Sequence, residues 1–305
     1  MSYNLIAVIG PTASGKTRLA ARLAAKLGSE VISADSRQVY RGLDIGTGKD
    51  LSEYLVDGVA VPYHLIDICD PTEEEFSVFA YQKRFYDVFT RLRSKGIVPI
   101  ACGGTGLYLD AVLRRYDMKE IPPDPDLRQE LTEMDQPELI LRLRSLHTTL
   151  HNTTDLTDKE RLVRAIEIAQ KSADAQGQNS EAPEIKAFII GIQYPPPILR
   201  ERITQRLKDR LAAGMVEEIR NLYSAGLSWD RMETLGLEYR YIGRYLQGRI
   251  SYEEALQELN THIHQYAKRQ HSWFRRMERQ GTEIHWIEEG RFETTLELIK
   301  SAGNK

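Results

Sequence analysis

Three short stretches of the 305-residue chain carry side chains and spacings suited to phosphate chemistry. The first is Gly10-Pro11-Thr12-Ala13-Ser14-Gly15-Lys16-Thr17. It follows the apolar run Leu5 to Ile9 and precedes Arg18 to Leu27, where Leu19, Leu23 and Leu27 recur at helical spacing. Strand, glycine-bounded loop, Lys-Thr and helix make a P-loop, whose backbone N–H groups curl around an anion. The helix adds its positive N-terminal end and Lys16 a full charge. Thr17 is positioned to hold a magnesium ion through its hydroxyl. The motif specifies a polyphosphate and leaves open whether that is a nucleotide. The second stretch is Asp35-Ser36-Arg37-Gln38, and the third is Gly103-Gly104-Thr105-Gly106. The first three residues of the fold thus implicated, Lys16, Asp35 and Thr105, are far apart in sequence and need a common scaffold.

The elements around them supply one. Val31 to Ala34 and Ile97 to Cys102 read as buried strands. Each delivers its polar stretch to a carboxyl end, where open α/β sheets bind ligands. Asp35 can serve a ligand or cap a turn, and the Gly103–Gly106 junction can approach a ligand or simply turn tightly. His64-Leu65-Ile66-Asp67 is a candidate third strand closed by an acid, and residues 39–49 a glycine-rich ordered loop over the site. Phe76 to Lys95 reads as a helix, and Leu107 to Leu113 as another. Ala187 to Ile192 returns to strand, and Ile198 to Ala213 forms a helix. That helix carries Arg202, Arg206 and Arg210 at every fourth position, a pattern of either a solvated basic face or a phosphate contact. A long helix is expected from the capping box Ser251-x-x-Glu254 to Arg279, about 40 Å. Its last third interleaves Lys268, Arg269, Arg275 and Arg276 with Tyr266, Trp273 and Phe274, the composition that meets nucleic acid. Trp273 and Phe274 are equally suited to the core. Glu283 to Ile287 is a final strand.

Between these halves, Asp126 to Lys171 carries no strand signal. It reads as several helices, one starting near Pro137 and one at the capping box Thr157-x-x-Glu160. Residues 172–184 have almost no large apolar side chains and read as a mobile loop. The expected architecture is α/β: a P-loop NTPase-like core with a mostly parallel sheet (residues 1–121 and 185–305) and an inserted helical domain (122–184).

Composition bounds the function classes. Hydrophobic residues make up 41% and charged residues 28%, with a formal net charge of −3. Nucleic acid would therefore need a local basic patch. Cys69 and Cys102 are too few for a disulfide framework, which fits a reducing cytosol. No membrane-length apolar run and no leader-like start are present, so a cytoplasmic chain without membrane contact is expected.

Taken in order, the motifs resemble the tRNA dimethylallyltransferase (tRNA isopentenyltransferase) family of the bacterial type. The matching stretches are Gly10 to Thr17, Ser33 to Tyr40, Leu43 to Thr47, His64 to Asp67, Gly103 to Tyr108, Asp158 to Arg164, Tyr266 to Gln270 and Trp273 to Arg275. Two departures stand out. The stretch Leu235 to Tyr241 differs from the family's Gly-Tyr-Lys-Glu-like pattern, and Arg210 stands where a methionine is often found.

The resemblance implies transfer of a dimethylallyl group from dimethylallyl diphosphate to N6 of the adenosine next to the anticodon (position 37), in tRNAs that read codons beginning with U. It implies that Gly10, Pro11, Thr12, Ala13, Ser14, Gly15, Lys16 and Thr17 bind the diphosphate with Mg²⁺ on Thr17. Asp35 would be the general base, with Lys16, Thr105 and Arg206 completing the catalytic set. tRNA contacts would come from Asp35, Ser36, Arg37, Gln38, Thr105, Arg128, Glu160, Arg161, Leu162, Val163, Arg164, Lys268 and Arg269, holding the anticodon arm. A monomer is expected. Rival readings are an isopentenyltransferase for free AMP, ADP or ATP, a small-molecule P-loop kinase, and a non-catalytic RNA-binding module.

Overall fold

The computed structural model describes residues 2–73, 76–146, 156, 158–174 and 182–303. The chain divides into two compact units, residues 1–116 with 183–305, and residues 117–182. In chain order the elements are β1 (Leu5–Ile9), α1 (Lys16–Leu27), β2 (Val31–Ser33), a 3-10 turn (Leu51–Tyr54), β3 (Leu55–Val56), β4 (Val59–Ala60), β5 (Tyr63–His64), α2 (Val78–Ser94), β6 (Ile100–Gly103) and α3 (Gly106–Leu113). The second unit holds α4 (Pro125–Glu133), α5 (Gln136–Ser145) and α6 (Lys159–Asp174). The first unit resumes with β7 (Ala187–Gln193), α7 (Pro196–Ala212), α8 (Met215–Ser224), α9 (Trp229–Leu235), α10 (Leu237–Leu246), α11 (Tyr252–Arg279), β8 (His285–Glu288) and α12 (Phe292–Gly303).

Six strands form one sheet in the order β5-β2-β6-β1-β7-β8. Every pairing in it is parallel, so all its carboxyl ends share an edge. Strands buried on both faces explain the continuous apolar runs in the sequence. Ile6 and Val8 face α1 and α12, packing with Leu19, Leu23 and Ile299. Leu5, Ala7 and Ile9 face the other way, toward Phe85 of α2, Leu109 of α3 and Phe274 of α11. A further core joins α7 to α11 around Ile203, Leu207, Met215, Tyr239 and Ile263.

Three expectations change. Only Tyr63–His64 pairs with β2, because Leu65 and Asp67 take left-handed φ of 63° and 55°, which ends the strand. Residues 214–250 contain three helices that the sequence reading did not draw. The second unit begins at residue 117 rather than 122. Ile121 O accepts from Arg164 of α6 at 2.8 Å, tying that approach to the helices. At the other boundary, Asn4 bonds the backbone of Glu184 and Lys186, which ties them to the sheet. Thr157 of the expected capping box, and most of the expected loop at 172–184, lie outside the described residues. Among the described residues no helix is long and apolar enough to cross a membrane.

The helical unit packs Leu131, Leu139, Leu143, Leu162, Val163 and Ile166 into its own core. The capping box of α5 is made by Asp135 and Glu138. Among the described residues its one fully buried acid is Glu167, whose carboxylate takes Arg128 Nη2 at 2.9 Å, Arg164, and the Asp124 N–H. Burial alone would raise this carboxyl's pKa, but those three donors outweigh it and hold it below the ordinary glutamate value. A depressed carboxyl stabilises the fold above its unfolded pKa, and that contribution is lost as pH falls through the folded value. The unit is therefore expected to loosen in acid, below about pH 4.5. Glu167→Gln should bring that loosening to neutral pH. It removes one partner of a buried pair while leaving both arginines half-exposed, at a cost of about 1–3 kcal/mol. Amide exchange confined to α4, α5 and α6 is the measurement, and unchanged protection there would remove Glu167 from this role.

Candidate active site

The three polar stretches meet at the carboxyl edge of the sheet. The phosphate-type loop leaves β1 and enters α1 through Gly15, whose φ of 79° needs no Cβ. No side chain caps α1, so its first-turn N–H groups are left for a ligand. Ala13 takes φ 61°, a conformation costly for a residue with a Cβ. Its carbonyl is held by Arg202 Nε at 2.9 Å. Lys16 Nζ reaches Pro11 O at 3.3 Å, folded over the loop. Burial holds the Lys16 ammonium below the ordinary lysine pKa; Arg206 and Arg210 add repulsion, and Asp35 opposes them. An anion here would relieve both effects. Ser14 is buried, and its Oγ has no partner among the described residues.

Asp35 follows β2. Its Oδ1 accepts from the N–H groups of Arg37 (2.9 Å) and Gln38 (3.4 Å), the turn-capping arrangement left open by the sequence. That orients the carboxylate and leaves Oδ2 for another group. Thr105 Oγ1 accepts from Ser36 N–H at 3.0 Å and donates toward Ser36 Oγ at 3.4 Å. The loops after β2 and β6 are thus joined directly, and Asp35 stands beside Thr105. Gln38 Nε2 donates to Gly48 O at 3.1 Å, linking this turn to the glycine-rich segment.

That segment is held from two sides. The Glu218 carboxylate of α8 accepts from three successive N–H groups, Asp44 (3.1 Å), Ile45 (2.6 Å) and Gly46 (3.0 Å). Lys49, with a fully buried side chain, donates to Tyr40 O, Asp44 and Asp67. Asp67, expected as the acid closing a third strand, therefore partners Lys49.

The arginine stripe of α7 is not a solvated face. Arg202 grips the phosphate-type loop and lies 4.6 Å from the Tyr194 ring centre. Arg206 pairs with Asp50 at 2.7 Å, and Arg210 with Glu238 at 3.3 Å. Arg210 also donates to Gly46 O at 3.3 Å. Burial pushes the Glu238 carboxyl above the ordinary range, with the Arg210 guanidinium opposing it. Glu238 lies in the stretch that departs from the family pattern.

α11 closes the site from one face of the sheet. Its buried stripe, Leu259, Ile263, Ala267, Phe274 and Met277, contains one polar member, Gln270. Gln270 Oε1 accepts from Thr12 N–H at 2.8 Å, and its Nε2 donates to Gly104 O at 2.9 Å. One side chain therefore joins both glycine loops. Trp273 donates to Asp110 at 3.0 Å and packs against Gly106, where any Cβ would strike the indole. Phe274 is fully buried. Both aromatics are anchors, while Lys268 and Arg269 are exposed. Burial, with Asp35 adding to it, raises the phenol pKa of Tyr266.

In the helical unit, Glu160 and Arg161 are exposed on α6. Leu162 and Val163 are core, at 0% and 7% exposure, so a contact at these two positions would fall to their backbone. Arg128 and Arg164 keep half-exposed guanidiniums but are tied to Glu167. Cys102 lies behind the loop, its thiol pushed up to about 12 by burial, and is chemically quiet.

A family model described as IPP transferase matches residues 38–277, and one described as isopentenyl transferase matches residues 3–60. The tRNA dimethylallyltransferase 1 of Syntrophus aciditrophicus is 54% identical over 301 residues, 98% of each chain. The tRNA dimethylallyltransferase 2 of Pelobacter propionicus is 51% identical over 288 residues, covering 94% of this chain and 90% of its own. Among solved structures, the full-length tRNA isopentenylpyrophosphate transferase of Bacillus halodurans gives a TM-score of 0.70 at 33% identity, covering 97% of this chain and 94% of its own. A eukaryotic dimethylallyltransferase acting on tRNA gives 0.73 over 93% and 73% at 23% identity, a likeness of fold.

The Gln270 bridge is testable on its own. Gln270→Leu keeps the volume but strands the Thr12 N–H and the Gly104 carbonyl, at about 1–3 kcal/mol for each buried group. The expected result is a lower melting temperature and roughly tenfold weaker binding of inorganic diphosphate by calorimetry. Unaltered diphosphate affinity would show that the loop holds its shape without the bridge.

Proposed function

This chain belongs to the tRNA dimethylallyltransferase family, and from that premise we propose that it prenylates tRNA. The donor is dimethylallyl diphosphate, and the acceptor is N6 of the adenosine next to the anticodon (position 37), in tRNAs reading codons that begin with U. The observation that carries the reading is a carboxylate beside a diphosphate cradle. Asp35 and Thr105 adjoin through Ser36, and Gln270 couples the Thr105 loop to the phosphate loop.

In this reading the P-loop N–H groups, Lys16 and Arg206 take the diphosphate. The C1–O bond of the donor breaks with its electron pair going to the diphosphate, and the N6 lone pair forms the new bond to C1. Negative charge grows on the leaving group, where preorganised donors count most. The exocyclic amine is a weak nucleophile because its lone pair is delocalised into the ring. Asp35, its Oδ1 fixed by two backbone N–H groups, accepts the N6 proton through Oδ2. General-base help of this kind is worth about 100- to 10,000-fold. Thr105 lies where it can orient the amine.

Magnesium fits these residues. The Thr17 hydroxyl, together with the unpartnered Ser14 Oγ, offers hard oxygen donors at the loop. No group of three or more His, Cys, Asp or Glu suited to a metal occurs among the described residues. That suits an ion which takes few protein ligands and completes its shell with substrate oxygens and water. When bound, the ion would offset charge on the leaving diphosphate.

The tRNA is proposed to meet exposed Lys268 and Arg269 on α11, Ser36, Arg37 and Gln38 after Asp35, and Glu160, Arg161, Arg128 and Arg164 on the helical unit. An extruded loop base costs less than one drawn from a duplex. Phosphate contacts of this sort should make binding salt-dependent. A cytosolic monomer is the expected working form.

The test is a transfer assay with labelled dimethylallyl diphosphate and magnesium, offering unmodified tRNA or AMP. Label is expected on tRNA; label on AMP alone would overturn the acceptor, and label on neither would overturn the donor chemistry. Asp35→Asn should keep tRNA affinity while transfer falls at least tenfold, and full activity in that variant would take Asp35 out of the base role. Chelation of magnesium should abolish transfer reversibly, with activity restored on adding the ion back.

A further inference from the structure

Arg210 on α7 and Glu238 at the start of α10 are joined at 3.3 Å, with side-chain exposures of 13% and 16%. They line one cleft with Thr12 and Ala13 of the phosphate loop and with Arg206. Arg206 and Arg210 both press against Gly48, where a Cβ would strike either guanidinium. Two like charges one helical turn apart repel, and nothing in helix packing requires them to converge. Arg210 spends its Nη1 on Gly46 O and Glu238, yet its Nε is buried with no partner among the described residues. A buried donor left unmade is costly, and an acceptor bound in the cleft would satisfy it.

We propose that Arg210 is a second diphosphate-binding arginine of this chain, donating to the donor's diphosphate beside Arg206, and that Glu238 is a positioning residue which holds its guanidinium in the cleft. The ion pair fixes the guanidinium fork, whose remaining N–H groups suit phosphate oxygens. Glu238 neutralises Arg210 without touching the ligand, so the cleft accepts a second cation close to Lys16 and Arg206. The proposal rests on the reading of the loop as a donor-diphosphate site.

The test compares Arg210→Met, Arg210→Lys and Glu238→Gln in the full chain. Calorimetry with inorganic diphosphate and magnesium gives affinity, and steady-state transfer gives KM for each substrate. Arg210→Met should weaken diphosphate binding about tenfold or more and raise KM for dimethylallyl diphosphate, with KM for tRNA unchanged. Arg210→Lys should fall between, since it keeps the charge and loses the fork. Glu238→Gln should weaken diphosphate binding less, and its effect should vanish in the Arg210→Met background if it acts through Arg210. If Arg210→Met destabilises the fold, Arg210→Lys decides by the same affinity. Diphosphate affinity unchanged in a folded variant, or a rise confined to KM for tRNA, overturns the proposal while active wild-type protein leaves the transferase reading standing. A wild-type protein that neither binds diphosphate nor transfers overturns both.

Discussion

The amide of Gln270 is hydrogen-bonded at both ends to backbone, and the two ends belong to different loops. Thr12 N–H lies in the loop after β1, and Gly104 O in the loop after β6. β1 and β6 are adjacent parallel strands, so their loops leave the same edge side by side. Parallel pairing sets that neighbourhood but not the distance between the loop tips. A rigid side chain from a third element does. Gln270 sits on a 28-residue helix whose flanking stripe is buried, so the amide has little freedom. It can approach because Gly104 and Gly106 have no side chains under α11. The second glycine loop is therefore glycine-rich for the helix above it as well as for the ligand beside it.

The arginines of α7 obey the same logic of fixed position. Spacing of four puts all three on one stripe, yet each ends on a different structure. Arg202 holds the Ala13 carbonyl, Arg206 reaches Asp50, and Arg210 reaches Gly46 and Glu238. One helix thus registers the phosphate loop against the segment 44–50. From the opposite side, Glu218 captures three N–H groups of that segment as an anion would. The site is assembled from backbone held by side chains, which lets a chain of net charge −3 concentrate cations at one edge.

Much of this was legible in the sequence, for physical reasons. The phosphate loop is local: its glycines, lysine and flanking apolar periodicity lie within one short stretch, and the structure has strand, loop and helix there. Ser251 and Glu254 announced the start of α11, and both halves of that capping box are made. What was not legible is what depends on partners far along the chain. Gln270 looks like one more polar residue in a basic segment until Thr12 and Gly104 are beside it. The arginine stripe carries the same pattern whether it is solvated or engaged. His64 to Asp67 scored as a strand because apolar runs cannot report that Leu65 and Asp67 turn left-handed. Leu162 and Val163 belong to a motif that suggests contact, but their place on α6 faces the unit's own core.

The two inner arginines differ in how easily they can change partners, and that difference follows from exposure. Asp50, the partner of Arg206, is half-exposed at 48% of its side chain. Such a pair contributes about 0–1 kcal/mol, so a diphosphate can replace the carboxylate at small cost, and the carboxylate regains water. Glu238 is at 16% exposure and has no such refuge. Displacing it would strand a buried acid, so Arg210 would keep its partner while a ligand used its remaining N–H. In the proposed reading, Arg206 would exchange Asp50 for the leaving group, while Arg210 would stay on Glu238 and keep the cleft in one shape as the bond breaks.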